Sequence, residues 1–249
     1  MADNGKAGGS RARGVLDRIV RERRVLIGAA AVLVFIWLLF EIEEKDIFRL
    51  DAAAYYLIVL NMRTPWLTPI MRTMSDLATP IVLVVMLLMV EEFAPGRRPG
   101  LCAAVNLVLA TLINQLLKHL IQRPRPAGYR LATVGGYSFP SGHSMVAMAF
   151  YGLLIWMVWR YERDTFVKWL GVLGFGAVIV LVGFSRVYLG VHYASDVLAG
   201  FCASIAWLAV YTKLVAPYLM GEPSGGGSGD AGDATPGEKD EAPAPAHRP

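Results

Sequence analysis

Apolar and polar positions fall in long blocks along this chain, not in short periods. Six apolar runs, at about 25–42, 77–93, 101–121, 144–159, 167–184 and 197–215, are separated by shorter stretches carrying charge, proline and glycine. A helix crossing the hydrocarbon core of a bilayer needs roughly 17–25 such residues. The pattern therefore predicts an all-α, multi-pass transmembrane bundle of about six spanning helices. The second run is the weakest, with a short uninterrupted core and Pro80 near its start; it reads either as a full span or as a buried or re-entrant helix. Residues 46–75 mix apolar and polar positions around Pro65 and Pro69. They predict short interfacial helices or an ordinary loop. The membrane domain is expected over 25–215. It is flanked by a basic, largely disordered segment at 1–24 and by a Gly-, Pro- and Ala-rich disordered tail at 216–249.

Composition agrees: 55% of the 249 residues are hydrophobic and 18% charged, too apolar for a soluble domain of this length. The net charge of +4 is small and uneven, and does not point to nucleic acid. The first run follows Arg18, Arg21, Arg23 and Arg24 and ends among Glu41, Glu43 and Glu44 without a small-residue cleavage site, as in an uncleaved signal anchor. The basic N-terminal stretch, Arg97-Arg98, the group Arg160, Arg163 and Lys168, and finally Lys213 all fall on one side if six segments span. That side is expected to be cytoplasmic, with both termini on it, in the cell membrane. The loop 122–140 and the turn 185–193 then face outward. Their Arg123, Arg125, Arg130 and Arg186 run against the positive-inside bias, which an anionic substrate explains; an inverted topology is the alternative. Cys102 and Cys202 sit inside apolar runs and read as packing residues, not as a disulfide or a metal site.

Three clusters at the ends of the apolar runs carry the chemistry. Lys118 is followed after six residues by Arg125-Pro126; then comes Pro140-Ser141-Gly142-His143; then Ser185-Arg186, five residues, His192, three residues and Asp196. If a helix begins before Asp196, the i, i+4 spacing puts His192 and Asp196 on one face. A carboxylate accepting the Nδ1 proton leaves Nε2 free to attack, which makes His192 a nucleophile and Asp196 its orienter, with a phosphohistidine as the intermediate. The second cluster opens a helix whose first N–H groups favour an oxyanion. Gly142 admits close approach, Ser141 adds a hydroxyl donor, and His143 protonates the leaving oxygen. Lys118, Arg125 and Arg186 supply charge around the equatorial oxygens of a phosphoryl group in transition. No carboxylate cluster for Mg²⁺ is visible, so the reaction is expected to need no metal or other cofactor. Asn114, one turn before Lys118, is a candidate to orient it. Arg123 and Arg130 read either as substrate-steering groups or as headgroup contacts. His119 is expected toward lipid headgroups or the helix interior, and His247 lies in the tail.

These residues resemble the type 2 phosphatidic acid phosphatase (PAP2) superfamily, which also includes vanadium-dependent haloperoxidases. The pattern K-x6-R-P, P-S-G-H, S-R-x5-H-x3-D is matched without departure, over about residues 100–200. The resemblance implies an active site opening at the outer leaflet, with His192, Asp196 and His143 in the roles above and Lys118, Arg125, Ser141, Gly142 and Arg186 binding phosphate. It implies a lipid phosphate substrate such as phosphatidic acid, phosphatidylglycerol phosphate or undecaprenyl diphosphate. Two readings compete. A vanadate-dependent haloperoxidase fits six membrane segments poorly. A non-catalytic lipid transporter has no use for His143, His192 and Asp196 together. Oligomeric state is not written in the sequence.

Overall fold

The structure, a computed structural model, describes residues 23–42 and 48–221. The expectations for 1–22, 43–47 and 222–249 lie outside the described residues. The described residues are helical, without strands: α1 (Arg23–Ile42), α2 (Phe48–Ala54) running into a π-helical stretch (Tyr55–Asn61), α3 (Leu67–Asp76), α4 (Pro80–Phe93), α5 (Pro99–Ile121), α6 (Gly142–Tyr161), α7 (Thr165–Tyr188), α8 (Ala194–Leu214) and α9 (Ala216–Met220). Five of them, α1, α5, α6, α7 and α8, are long and apolar enough to cross a membrane. The weak second run resolves differently. α4 has 14 residues, about 21 Å at 1.5 Å per residue, too short alone for a core of roughly 30 Å. It forms a pair with α3, bent by 57°. Pro80 causes the break: it opens α4 at the first turn, where its missing N–H costs nothing, and cannot continue α3. Helical order also runs past 215, because α9 folds back and buries Ala216 and Met220.

α6 is the centre of the bundle, packed by α5, α7 and α8. Its buried Ala147, Phe150, Leu153, Leu154 and Met157 meet Cys102, Ala103 and Leu107 of α5, Ile179 and Val182 of α7, and Tyr211 of α8. Polar side chains pin the helices where hydrocarbon offers no partner. Asn106 donates to the Ala149 carbonyl at 2.7 Å and accepts from Trp207 Nε1 at 2.8 Å. Ser204 donates to the Met145 carbonyl at 2.6 Å, and Tyr211 to that of Cys102 at 2.7 Å. Both cysteines are free thiols.

The bundle has two distinct ends. At one, Arg97 N donates to the Met220 carbonyl (3.0 Å) and Tyr161 Oη to that of Gly221 (2.9 Å). At the other, α5 and α7 finish while α6 and α8 begin. There Gly200 lets α8 close on the start of α6: a Cβ at Gly200 would lie 2.9 Å from the Ser141 carbonyl oxygen. Ser141 N donates to the Asp196 carbonyl at 3.0 Å across the same seam.

Candidate active site

The second end of the bundle gathers the residues of all three clusters. A cavity of about 310 Å³ is lined by Lys118 from the last turn of α5, Arg125 from the connection to α6, Gly142 and His143 from the first turn of α6, Arg186 from the last turn of α7, and His192. The exposed His119 lines it too, so it is not turned to the helix interior. Ser141 and Asp196 stand behind this wall. Ser141 is the N-cap of α6; its Oγ receives bonds from Ser144 N (3.4 Å) and Ser144 Oγ (2.9 Å).

His192 and Asp196 meet, but not on a helical face. α8 begins only at Ala194, so His192 lies in the preceding turn, and Asp196 reaches back to it across the N-terminus. His192 Nδ1 lies 3.3 Å from Asp196 Oδ2, which also accepts from Tyr193 N at 2.9 Å and from the Ser138 hydroxyl. Arg125 Nη1 stands 3.0 Å from His192 Nε2. Because guanidinium only donates, Nε2 is the acceptor and the proton sits on Nδ1, toward the carboxylate. Burial pushes the His192 imidazole down to about 4 against the opposing pull of Asp196, so the ring is neutral at neutral pH.

The cations are held by carbonyl groups. Lys118 Nζ donates to Tyr137 O at 2.6 Å. Arg125 spreads over Gly135 O, Gly136 O and Val191 O at 3.0, 3.0 and 2.9 Å, tying the 134–137 loop to the His192 turn. Arg186 donates to the Ser75 hydroxyl of α3, and its buried Nε has no partner among the described residues. The His143 ring likewise makes no hydrogen bond to the described residues. Asn114 does not orient Lys118: it donates to Pro140 O (3.3 Å) and Met145 Sδ (3.5 Å), bracing the turn before α6.

Sequence reasoning did not foresee the two ion pairs of Arg123. Arg123 lies behind the cavity and is tied to its rear wall. Its Nη1 donates to Asp196 Oδ1 at 2.6 Å and to Ser195 Oγ at 2.8 Å, its Nη2 reaches Asp51 Oδ2 at 2.8 Å, and its plane lies 4.1 Å over the Tyr193 ring. Its position beside Arg125 in Arg-Pro-Arg-Pro was the available signal. For Asp51, Ser138 and Ser75 there was none.

The sequence matches the model of the PAP2 superfamily over residues 99–218. Phosphatidylglycerophosphatase B of Bacillus subtilis (strain 168) is 33% identical over 145 residues, covering 56% of this chain and 71% of that protein. An undecaprenyl-diphosphatase of Sulfolobus acidocaldarius is 29% identical over 133 residues, covering 50% of this chain and only 60% of the relative. Among solved structures, the first transmembrane PAP2 type phosphatidylglycerolphosphate phosphatase from Bacillus subtilis superposes with a TM-score of 0.68 at 30% identity, over 75% of this chain and 94% of the other.

Proposed function

This chain belongs to the PAP2 superfamily, and from that premise we propose that it hydrolyses the phosphomonoester or diphosphate of a membrane lipid through a phosphohistidine, without a metal ion. The relatives named above are phosphatases of lipid phosphates. The observation that carries the reading is a continuity at His143. On one side lies the cationic cavity. On the other lies an apolar groove of about 540 Å³ between α4 and α5, which shares Asn114, Gln115, Gly142 and His143 with it. One molecule with a phosphorylated head and a hydrocarbon chain fills both. Phosphatidylglycerol phosphate, phosphatidic acid and undecaprenyl diphosphate all have that form.

In the proposed reaction, His143 takes up a proton together with the phosphate anion, which offsets the surrounding cations; His192 Nε2 then attacks phosphorus in line while the bond to the leaving oxygen breaks and His143 gives that oxygen its proton. Arg125, which bonds Nε2 in the free site, turns its donor to an equatorial phosphoryl oxygen. Lys118, the Arg186 Nε proton and the N–H groups opening α6 take the other oxygens. Positive charge developing on His192 is balanced by Asp196. Water then attacks the phosphohistidine, returning its proton to His143 and releasing inorganic phosphate. The distribution of Arg97, Arg160 and Arg163 at the opposite end supports an active site facing outward.

The test is phosphate release by the detergent-purified protein on those three lipids with chelator present. Wild type releases phosphate and vanadate inhibits it, while folded His192→Ala loses about a thousandfold or more. A strict Mg²⁺ requirement, or no release from folded wild type, overturns the reading.

A further inference from the structure

Resting on that reading, we infer that Asp51 of α2 and Arg123 of the connection after α5 are positioning residues, a clamp that holds the Asp196 carboxylate against His192. Asp51 lies on α2, outside the residues matched by the family model, and yet it is 5% exposed and faces the back of the site. Its Oδ1 accepts from Ser195 N at 2.9 Å, its Oδ2 from Ser195 Oγ at 2.8 Å and from Arg123 at 2.8 Å. It thus anchors the first turn of α8, whose orphan N–H groups favour a carboxylate. Arg123 spans the two acids with the two arms of its fork, a geometry lysine cannot supply.

The arrangement has a definite chemical consequence. Asp196 is wholly buried. A buried carboxylate left unpaired is costly, and one held on one edge only is free to turn Oδ2 away from the Nδ1 proton that fixes the tautomer of His192. Arg123 takes one lone-pair edge of Asp196, Oδ1, and leaves Oδ2 to the histidine. Asp51 in turn neutralises Arg123, so the guanidinium does not strip the carboxylate of its hold on His192. Burial works against charge on Arg123, and Asp196 and Asp51 outweigh it, raising its pKa. The other charged or titratable groups around the cavity that His192 lines are Arg125 from the connection, Arg186 from α7, His143 from α6, and Lys118 and His119 from α5. Beside the clamp itself stand Tyr193 before α8 and Glu41 of α1, which lines with Asp51 and Arg123 a separate cavity of about 580 Å³ behind the site.

Opposite signs of perturbation provide the test. His192 is titrated by NMR in substrate-free protein carrying ¹⁵N-labelled histidine, beside kcat and KM on the best lipid substrate. Arg123→Gln removes a cation from Asp196, so His192 titrates higher. Asp51→Asn keeps the shape but frees the Arg123 charge, so His192 titrates lower. The double variant returns it toward wild type. Both single variants lose about tenfold in kcat with KM changed less than threefold, and Arg123→Lys does not restore kcat. Unchanged or same-direction titration in folded single variants, or an Arg123→Lys enzyme as fast as wild type, overturns the clamp. The titration needs no turnover, so failure of the phosphatase reading shows separately, as wild type that releases no phosphate.

Discussion

The two sides of this site hold their cations in opposite ways. In front, Lys118, Arg125 and Arg186 make no ion pair within 4 Å among the described residues. Their donors rest on carbonyls, on one hydroxyl and on His192 Nε2, and the buried Arg186 Nε rests on nothing. Behind, Arg123 is saturated by two carboxylates, Asp51 and Asp196. Carbonyl contacts hold a guanidinium in place but do not neutralise it, so the front keeps a concentrated positive potential, which suits the dianion proposed as substrate. Carboxylate contacts neutralise as well as hold, so the back has no charge left to offer and serves to fix geometry. Cations of one kind in one short segment, Arg123 and Arg125, thus do different work according to what accepts their protons.

The sharpest attack on this comparison removes a front cation and leaves the back intact. Arg186→Gln takes away the unpartnered Nε donor and a full charge, and kcat/KM is expected to fall about a hundredfold or more, as for loss of one oxyanion donor. The back-side variants Arg123→Gln and Asp51→Asn are expected near tenfold. Steady-state phosphate release at fixed detergent concentration checks the order. A loss at Arg186 no larger than at Arg123 would erase the distinction between binding and positioning cations.

A second prediction concerns the group lying between the two sides. Burial holds the His192 imidazole at about 4, below its ordinary 6.5, with Asp196 pulling the other way. The ring therefore stays neutral as pH falls from 8 to 5 and takes up its proton only near 4, losing there the lone pair that the proposed attack needs. Titration of labelled histidines, with His192→Ala used to assign the signal, reads this directly and free of the substrate's own ionisation. A His192 that titrates near 6.5 would mean that water reaches it and that the back does not seal it.

What the sequence disclosed follows the same division. That Lys118, Arg125, Gly142, His143, Arg186 and His192 share one cavity was legible because they sit at fixed spacings beside helix ends. The five long spans were legible from apolar length alone. The back was not. Arg123 and Asp51 are paired across 72 positions, and nothing local to either one signals the other. The i, i+4 spacing of His192 and Asp196 suggested a shared helical face, whereas the pair meets across a helix start. The same spacing serves a helix and a cap, and only the break between α7 and α8 decides which. For the second run, Pro80 marked the weak point, but whether the chain bends or spans there depends on α3, whose Ser75 holds Arg186.

The smallest expected effect probes how much the front gives. A methyl at Gly142 would lie 3.1 Å from Asn114 Oδ1 and 3.9 Å from Lys118 Cε. That is too close by a few tenths of an ångström, and it is the Asn114 side chain that must move. Its own bonds, 3.3 Å to Pro140 O and 3.5 Å to Met145 Sδ, are long and readily adjusted. Gly142→Ala therefore folds and keeps its chemistry, but it narrows the cavity beside Lys118. The expected cost is about 1 kcal/mol, roughly a fivefold loss in kcat/KM carried mainly by KM. Trimming the neighbour as well, in Gly142→Ala with Asn114→Ser, relieves the crowding and recovers part of the loss. A fall of a hundredfold instead, unrelieved by the second change, would put the methyl in the place of a phosphoryl oxygen. The front would then be as rigidly shaped as the clamp behind it.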